Sequence, residues 1–322
     1  MTNDDEIFEH SISDSQFRCK PLFSEKHQKR IRRIKRKHRT ELQVTEWSKQ
    51  KHASRWVTLK DRLVKEACLP PARLRSAELS VEEFRKKYEG MRLPCIISEC
   101  ADEWPARERW SISNLREAYG KIKFKCGEDD EGYSLKVKLE TFIRYQESSA
   151  QLDDSPLYIF DSSFDRTCEN ILTEYSVPSY FPEDLFCLVG DRRRPPHRWF
   201  LIGPERSGTT IHVDPLETSA WNTSIRGRKL WAMFSPEVPK ITVKGKQFLK
   251  PDGDDEAVDW FDYFLPKILN MLPLGSKFFQ FIQYPGETVF VPHGWWHAVL
   301  NLDDTVAITH NYGKLNLNCF IY

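Results

Sequence analysis

Two histidines and an aspartate carry the most chemistry in this 322-residue chain: His212 and Asp214 in the triplet His212-Val-Asp214, and His297 closing the run Glu287-Thr-Val-Phe-Val-Pro-His-Gly-Trp-Trp-His297. Side chains two apart on a β-strand face the same way, so His212 and Asp214 can approach one metal ion from one side. A later strand, 85 residues on (297 − 212 = 85), can bring His297 across. Two imidazoles and one carboxylate leave about three coordination positions open, the ligand set of non-haem Fe(II) oxidation chemistry. A His-x-Asp triplet alone is weak, since a strand histidine is more often packed or solvated than metal-bound. Lys229 strengthens it. A dicarboxylic cosubstrate needs a cation for the carboxylate that does not touch the metal, and a lysine supplies a point charge with three donors. Tyr158, Thr209, Asn222 and Thr309 lie on predicted strands or at their ends and offer hydroxyls and an amide to the same pocket.

The elements that must hold these residues are mostly short strands. After about Tyr158 they run Leu157-Tyr-Ile-Phe, Arg198-Trp-Phe-Leu-Ile, Thr210-Ile-His-Val, Lys229-Leu-Trp-Ala-Met-Phe, Thr288-Val-Phe-Val, Ala298-Val-Leu-Asn-Leu and Val306-Ala-Ile-Thr. Turn signals such as Gly203-Pro, Arg226-Gly-Arg and Pro285-Gly separate them, which predicts a sandwich or double-sheet jelly roll. The aromatic segment Asp255 to Met271 predicts a helix inserted between strands. Upstream the pattern is mixed: a helix capped by Ser80 with Glu83 three residues on, a short strand at Leu93-Pro-Cys-Ile-Ile, a helix from Trp110 to Gly120, and alternating strands at Lys121 to Cys126 and Ser134 to Leu139. The predicted organisation is a disordered basic segment over 1–40, a mixed α/β support region over 41–150 and a catalytic β-domain over 151–322.

The 48 basic and 47 acidic residues nearly cancel to +1, so charge arguments rest on local runs. From Lys26 to Arg39 nine of fourteen residues are Lys or Arg and none is acidic. Such a run predicts a nuclear address or a nucleic-acid contact, with a solvated basic helix as the plain alternative. The eight cysteines show no Cys-x-x-Cys pair, which predicts free thiols in a reducing compartment. No secretory leader and no stretch of about 18 apolar residues is visible, so neither secretion nor a membrane span is expected.

The runs Arg206-Ser-Gly-Thr-Thr-Ile-His-Val-Asp-Pro-Leu, Ser219-Ala-Trp-Asn222, Pro285-Gly-Glu-Thr-Val-Phe-Val-Pro, Trp295-Trp-His297 and Asn301-Leu resemble the JmjC domain of the phosphatidylserine-receptor-type oxygenases, nuclear proteins described as lysyl hydroxylases and arginine demethylases. The similarity extends to Phe124-Lys-Cys-Gly-Glu-Asp, Asp154-Ser-Pro-Leu-Tyr-Ile-Phe-Asp-Ser-Ser and Arg193-Arg-Pro-Pro-His-Arg-Trp-Phe, covering about Leu79 to Tyr312. The resemblance implies a double-stranded β-helix of the cupin-like jelly-roll type, with Fe(II) on His212, Asp214 and His297. It also implies 2-oxoglutarate on the iron, its distal carboxylate on Lys229 and its hydrogen bonds from Tyr158, Thr209, Asn222 and Thr309. The implied reaction couples decarboxylation of 2-oxoglutarate to succinate with hydroxylation of lysine at C5 in Arg/Ser-rich splicing factors, or with arginine demethylation on histone tails. Nuclear residence, chromatin regulation and RNA binding through Lys26 to Arg39 belong to the same expectation.

Two departures stand out. His293 occupies the place of the first glycine in the family's Gly-Gly-Trp-Trp-His run, which puts bulk and a stray donor near the site. The sequence also ends at Tyr322, where relatives continue into dimer-supporting helices, so weak self-association and an apolar patch at Leu315, Leu317 and Phe320 are expected. A catalytically weak module that binds RNA or protein, and a cupin-like enzyme using another metal, are the rival readings. Intact ligands speak against the first and Lys229 against the second.

Overall fold

The structure is a computed structural model that describes residues 24–190, 192–249 and 256–314. Thirteen strands appear among these residues: β1 (Ala72–Arg75), β2 (Cys95–Ser98), β3 (Lys123–Glu128), β4 (Ser134–Lys138), β5 (Ile159–Asp161), β6 (Arg198–Gly203), β7 (Gly208–His212), β8 (Ser219–Arg226), β9 (Lys229–Phe234), β10 (Phe278–Gln283), β11 (Thr288–Val291), β12 (Trp296–Asn301) and β13 (Thr305–Tyr312). A seven-stranded sheet runs β1-β2-β11-β8-β13-β6-β5, a four-stranded sheet runs β10-β9-β12-β7, and β3 pairs with β4. The two larger sheets are antiparallel except for the β1–β2 pair. This is the expected double-sheet jelly roll, and its larger sheet draws strands from both sides of residue 150.

Alternation along the strands sorts side chains into three apolar layers. On β9, Leu230, Ala232 and Phe234 join an outer cluster with Trp260, Phe261 and Phe264, whereas Trp231 and Met233 point between the sheets and meet Val289, Val291 and Val299. On the far side of the larger sheet, Trp221, Ile225, Phe290 and Ile308 pack against Phe84, Trp104, Trp110 and Phe142 of the preceding helical part. Both outer faces are therefore covered. Between the sheets, the apolar layer borders a cavity that also has polar lining.

Three strands lie outside the sequence expectation. β8 reads Ser-Ala-Trp-Asn-Thr-Ser-Ile-Arg, and its polar Asn222, Thr223 and Ser224 are buried, so no apolar alternation announces it. β10 is obscured by apolar residues on both faces, and β1 is a short, largely exposed edge. The helix expected over Asp255 to Met271 is a bent series, Ala257–Asp259, a wide π-turn Trp260–Phe264 and Leu265–Leu269, and its buried aromatic face covers the four-stranded sheet.

Disorder through residue 40 does not hold for the described part of that segment. Glu25–His38 is helix α1, and Ile31, Ile34 and Lys35 are buried against the protein body. Lys35 donates to Asp153, which also accepts from Tyr145 Oη at 2.8 Å, while Arg39 pairs with Glu256 and, at 2.7 Å, with Glu41. Burial lowers the Lys35 pKa and raises that of Asp153, each partner's charge opposing the shift. The apolar pair at i, i+3 and one buried cation are what the dense charge concealed. Seven cations, Lys26, Lys29, Arg30, Arg32, Arg33, Arg36 and Lys37, remain exposed. The six cysteines among the described residues are free thiols. No described helix is long and apolar enough to cross a membrane, and Leu315, Leu317 and Phe320 lie outside the described residues.

Lys35→Met strands a desolvated carboxylate and is expected to destabilise the fold by about 3–5 kcal/mol. Adding Asp153→Asn should recover much of the loss. Urea unfolding of the two variants against the parent chain checks this, and a Lys35→Met protein as stable as the parent would place the pair outside the folding core.

Candidate metal and oxo-acid site

The metal-site residues are assembled by one strand pairing. His212 is the last residue of β7 and lies directly opposite His297 on β12. Asp214 follows two residues on, in extended conformation (φ −62°, ψ 140°), so the alternation of the strand persists past its end. One donor atom from each of His212, Asp214 and His297 lies within 4.8 Å of the other two, and Asp214 Oδ1 is 3.8 Å from His212 Nε2 and 3.9 Å from His297 Nε2. His212 Nδ1 is 2.8 Å from the Thr210 carbonyl and His297 Nδ1 is 3.1 Å from the Trp295 carbonyl. A proton on each Nδ1, donated to those carbonyls, leaves both Nε2 lone pairs facing Asp214. Asp214 Oδ2 is buried and has no hydrogen-bond partner. Three convergent donors and one orphaned carboxylate oxygen fit a metal cation.

His212 keeps 38 % of its side chain exposed, toward the cavity, while the surrounding atoms still penalise its charged form. Burial and repulsion by His297 push its pKa down to about 4, against the pull of Asp214. A neutral imidazole is the metal-binding form.

All eight sequence-predicted site residues line a single cavity of about 220 Å³ between the two sheets: Tyr158, Thr209, His212, Asp214, Asn222, Lys229, His297 and Thr309. Thr209 needs a special device to be there. Between His297 and Val299 the register slips from His212 to Thr209, so β7 spends three residues where β12 spends two. This bulge turns Thr209 onto the same cavity as His212 despite their odd spacing.

At the opposite end of the cavity, Lys229 begins β9 and is fully buried. Its Nζ donates to Asn301 Oδ1 at 2.8 Å, Tyr158 Oη at 3.2 Å and Thr305 Oγ1 at 3.5 Å, and no carboxylate among the described residues pairs with it. Burial pulls its pKa down to about 7. Nearby, Asn222 Oδ1 is buried without a partner. A desolvated ammonium without a counter-ion is costly, and an anion arriving in the cavity removes that cost.

The chain matches the cupin-like domain family over residues 81–317. It is 44 % identical over 254 residues to the bifunctional arginine demethylase and lysyl-hydroxylase psr-1 of Caenorhabditis elegans, a match covering 76 % of this chain and 62 % of that protein. For psr-1 of Caenorhabditis briggsae the identity is 41 % over 291 residues, covering 88 % and 70 %. The 2-oxoglutarate and iron-dependent oxygenase JMJD4 of Mus musculus is 29 % identical over 255 residues, covering 72 % and 58 %. The chain belongs to the cupin-like JmjC family. It spans less than two thirds of the C. elegans and mouse proteins.

Several residues of this JmjC site escaped sequence reasoning. Asn301 holds Lys229 through Oδ1 and donates through Nδ2 to Ser207 Oγ at 2.9 Å. Gln283 accepts from Trp231 Nε1 and donates to the Asn222 carbonyl, each at 2.9 Å, and the Trp231 ring lies nearly parallel to His297 with centroids 6.1 Å apart. Gly203 stands so close behind Lys229 that a Cβ there would come within 2.4 Å of Ser207 Oγ, 2.5 Å of the Tyr158 ring and 2.6 Å of Asn301 Nδ2. Thr309 donates its hydroxyl to the Trp221 carbonyl at 2.8 Å, so it offers the cavity an acceptor. His293 is half-buried but takes no part in the cavity lining; its backbone bonds to Ser219 and Arg92 instead.

Because only the protonated Lys229 attracts a carboxylate, and its pKa without ligand is about 7, dicarboxylate binding should weaken as pH rises through that value, approaching tenfold per pH unit. Calorimetric titration of 2-oxoglutarate from about pH 6 to about pH 9 reads this slope. A flat profile would show that Lys229 does not govern the affinity.

Proposed function

We propose that this chain is an Fe(II)- and 2-oxoglutarate-dependent oxygenase that hydroxylates lysine side chains of proteins at C5, and that it also demethylates N-methylarginine. The observation that carries the reading is the buried, anion-less Lys229 at one end of a cavity whose other end holds two imidazoles and a carboxylate. A metal site alone suits many cupin-like enzymes; a desolvated cation facing it calls for a ligand with two anionic ends.

In this reading His212, Asp214 and His297 hold the iron, Lys229 and Tyr158 take the distal carboxylate, and Asn301 holds the ammonium in place between them. Dioxygen would be the oxidant: with iron bound there, decarboxylation of the oxo acid to succinate and CO₂ would supply two of the four electrons that reduce it, the substrate C–H bond would supply the other two, and one oxygen atom would enter each product. Val291, Val299 and Trp231 wall the cavity with apolar surface that excludes water from it. Phe160 and Trp199, 5.8 Å apart, present aromatic faces suited to a lysine or methylarginine cation entering to be oxidised. Both reactions begin with loss of hydrogen from a carbon of that cation, so its placement against these rings selects between them.

His212→Ala and Asp214→Ala should abolish iron binding and succinate formation, because two protein ligands hold the metal far less tightly than three. Lys229→Ala should retain iron and raise the KM for 2-oxoglutarate by about tenfold or more. Iron content and succinate release, with and without a lysine peptide, are the measurements. Native turnover by Asp214→Ala would sink the metal-site assignment.

We also propose that the protein works in the nucleus on RNA-associated substrates, splicing factors or histone tails among them, and that the exposed face of α1 supplies the address or an RNA contact. Seven exposed cations on one helix suit phosphate contacts, and the two cations tied into the body do not contribute. Changing the exposed seven to Gln should weaken RNA binding, flatten its salt dependence and shift the protein out of the nucleus while the melting temperature holds. Unchanged RNA affinity and location would reduce this face to a solvated surface.

A further inference from the structure

A second cavity, of about 420 Å³, lies at the end of the antiparallel β5–β6 pair and belongs to no part of the machinery above. It is lined by Ser163, Asp165, Arg166, Arg194, His197 and Arg198, among others. Three arginines thus face one aspartate. Asp165 accepts from Arg198 Nη2 at 2.9 Å and Asp184 accepts from Arg194 Nη2, yet the Nε donors of both arginines are buried without an acceptor. Arg166 is exposed and makes no ion pair among the described residues, and Lys136 Nζ donates to Ser163 Oγ from behind at 3.1 Å. The repulsion is felt by the neighbours: burial first, then Arg194 and Arg198, lower the pKa of His197.

Strand direction puts this cavity at the metal end of the jelly roll. β8 ends toward Lys229 and so begins at the metal end; β13 runs antiparallel to it, β6 to β13 and β5 to β6, which brings the start of β6 and the end of β5 to that same end. Trp199 and Phe160 turn inward to line the oxygenase cavity, while Arg198 and the residues just beyond Asp161 line this one. A chain lying across the β5–β6 edge can reach both.

We infer that the arginine-lined cavity binds a phosphoryl group carried by the protein substrate, close in sequence to the side chain being oxidised. Guanidinium forks match phosphate oxygens in pairs, and Arg166, exposed and without an ion pair among the described residues, holds its fork open for them beside Arg194 and Arg198. Ser162 and His197 add a hydroxyl and an imidazole to the lining, while Ser163 already donates its hydroxyl to Asp161 Oδ1 at 2.8 Å. A single-stranded nucleic acid would ask in addition for aromatic platforms, and no Phe, Tyr or Trp lines the cavity. The inference rests on the oxygenase reading only for where the target side chain sits.

Two fluorescein-labelled peptides of one sequence, with a single lysine followed by either serine or phosphoserine, test it by anisotropy on the full chain without iron or 2-oxoglutarate. The phosphopeptide is expected to bind about tenfold more tightly, with inorganic phosphate competing. Arg166→Glu, at an exposed position that melting curves will show to be folded, is expected to erase that preference, and Arg166→Lys to keep part of it. Equal affinity for the two peptides, or a preference that survives Arg166→Glu, overturns the inference. So does a single-stranded RNA that binds through Arg166 when the phosphopeptide does not. Succinate assays with the same peptides keep the two readings apart: a phosphate preference without turnover sinks the oxygenase and leaves the phosphoryl site standing.

Discussion

The site depends on one strand being held on both edges. β12 pairs with β7 through His297 and His212, and with β9 through Asn301 and Lys229. It therefore fixes both ends of the cavity, the metal ligands at its start and the lysine's acceptor at its finish. Its pleat leaves no slack: His297, Val299 and Asn301 face inward, while Ala298 and Leu300 are packed in the outer cluster. A slip of one residue would exchange the two sets and empty the cavity of its chemistry. The aromatic helical segment over the outside of this sheet is thus more than a lid on apolar surface, because it fills the layer that makes the slip costly.

That rigidity accommodates a deliberate imbalance. The interior holds an ammonium without an acid, a carboxylate oxygen without a donor and an amide oxygen without a partner, all facing one cavity. Buried polar groups are usually satisfied and buried charges paired, so two orphaned oxygens and one ammonium without a counter-ion in one place mark a ligand site more firmly than the shape of the cavity does. The contrast with Lys35 is instructive. That lysine is equally buried but has Asp153 against it, and its charge is spent within the fold.

Much of this was legible from residue types and spacing. The His-x-Asp triplet read as two ligands on one side because extended backbone carries the alternation to Asp214, and Lys229 stood out because a dicarboxylic cosubstrate needs a cation for the carboxylate that does not touch the metal. Thr209 was legible only as a nearby hydroxyl, since a bulge breaks the period that would have aimed it at the cavity, and its role came only as what the family resemblance implied. β8 stayed hidden because the residues that make it useful, the buried polar ones, erase the pattern that marks a strand. The basic segment misled for the reverse reason. Its charges suggested a solvated tail, and two isoleucines at helical spacing were too few to contradict them, yet they anchor it. Asn301 was visible as a residue but not as a partner, because its role exists only once β12 and β9 lie side by side.

Gly203 carries this logic to a position outside the cavity lining. Its missing side chain is the room in which Ser207, Tyr158 and Asn301 converge. Even a methyl there would press on the groups that hold the lysine's charge, while leaving both histidines and the aspartate in place. Over evolutionary time, then, this codon should be as closed to drift as those of the ligands themselves. A lineage that lost it would keep every recognisable signature of the metal site while loosening the groups that hold Lys229, and would look intact to any search that scores the metal triad alone.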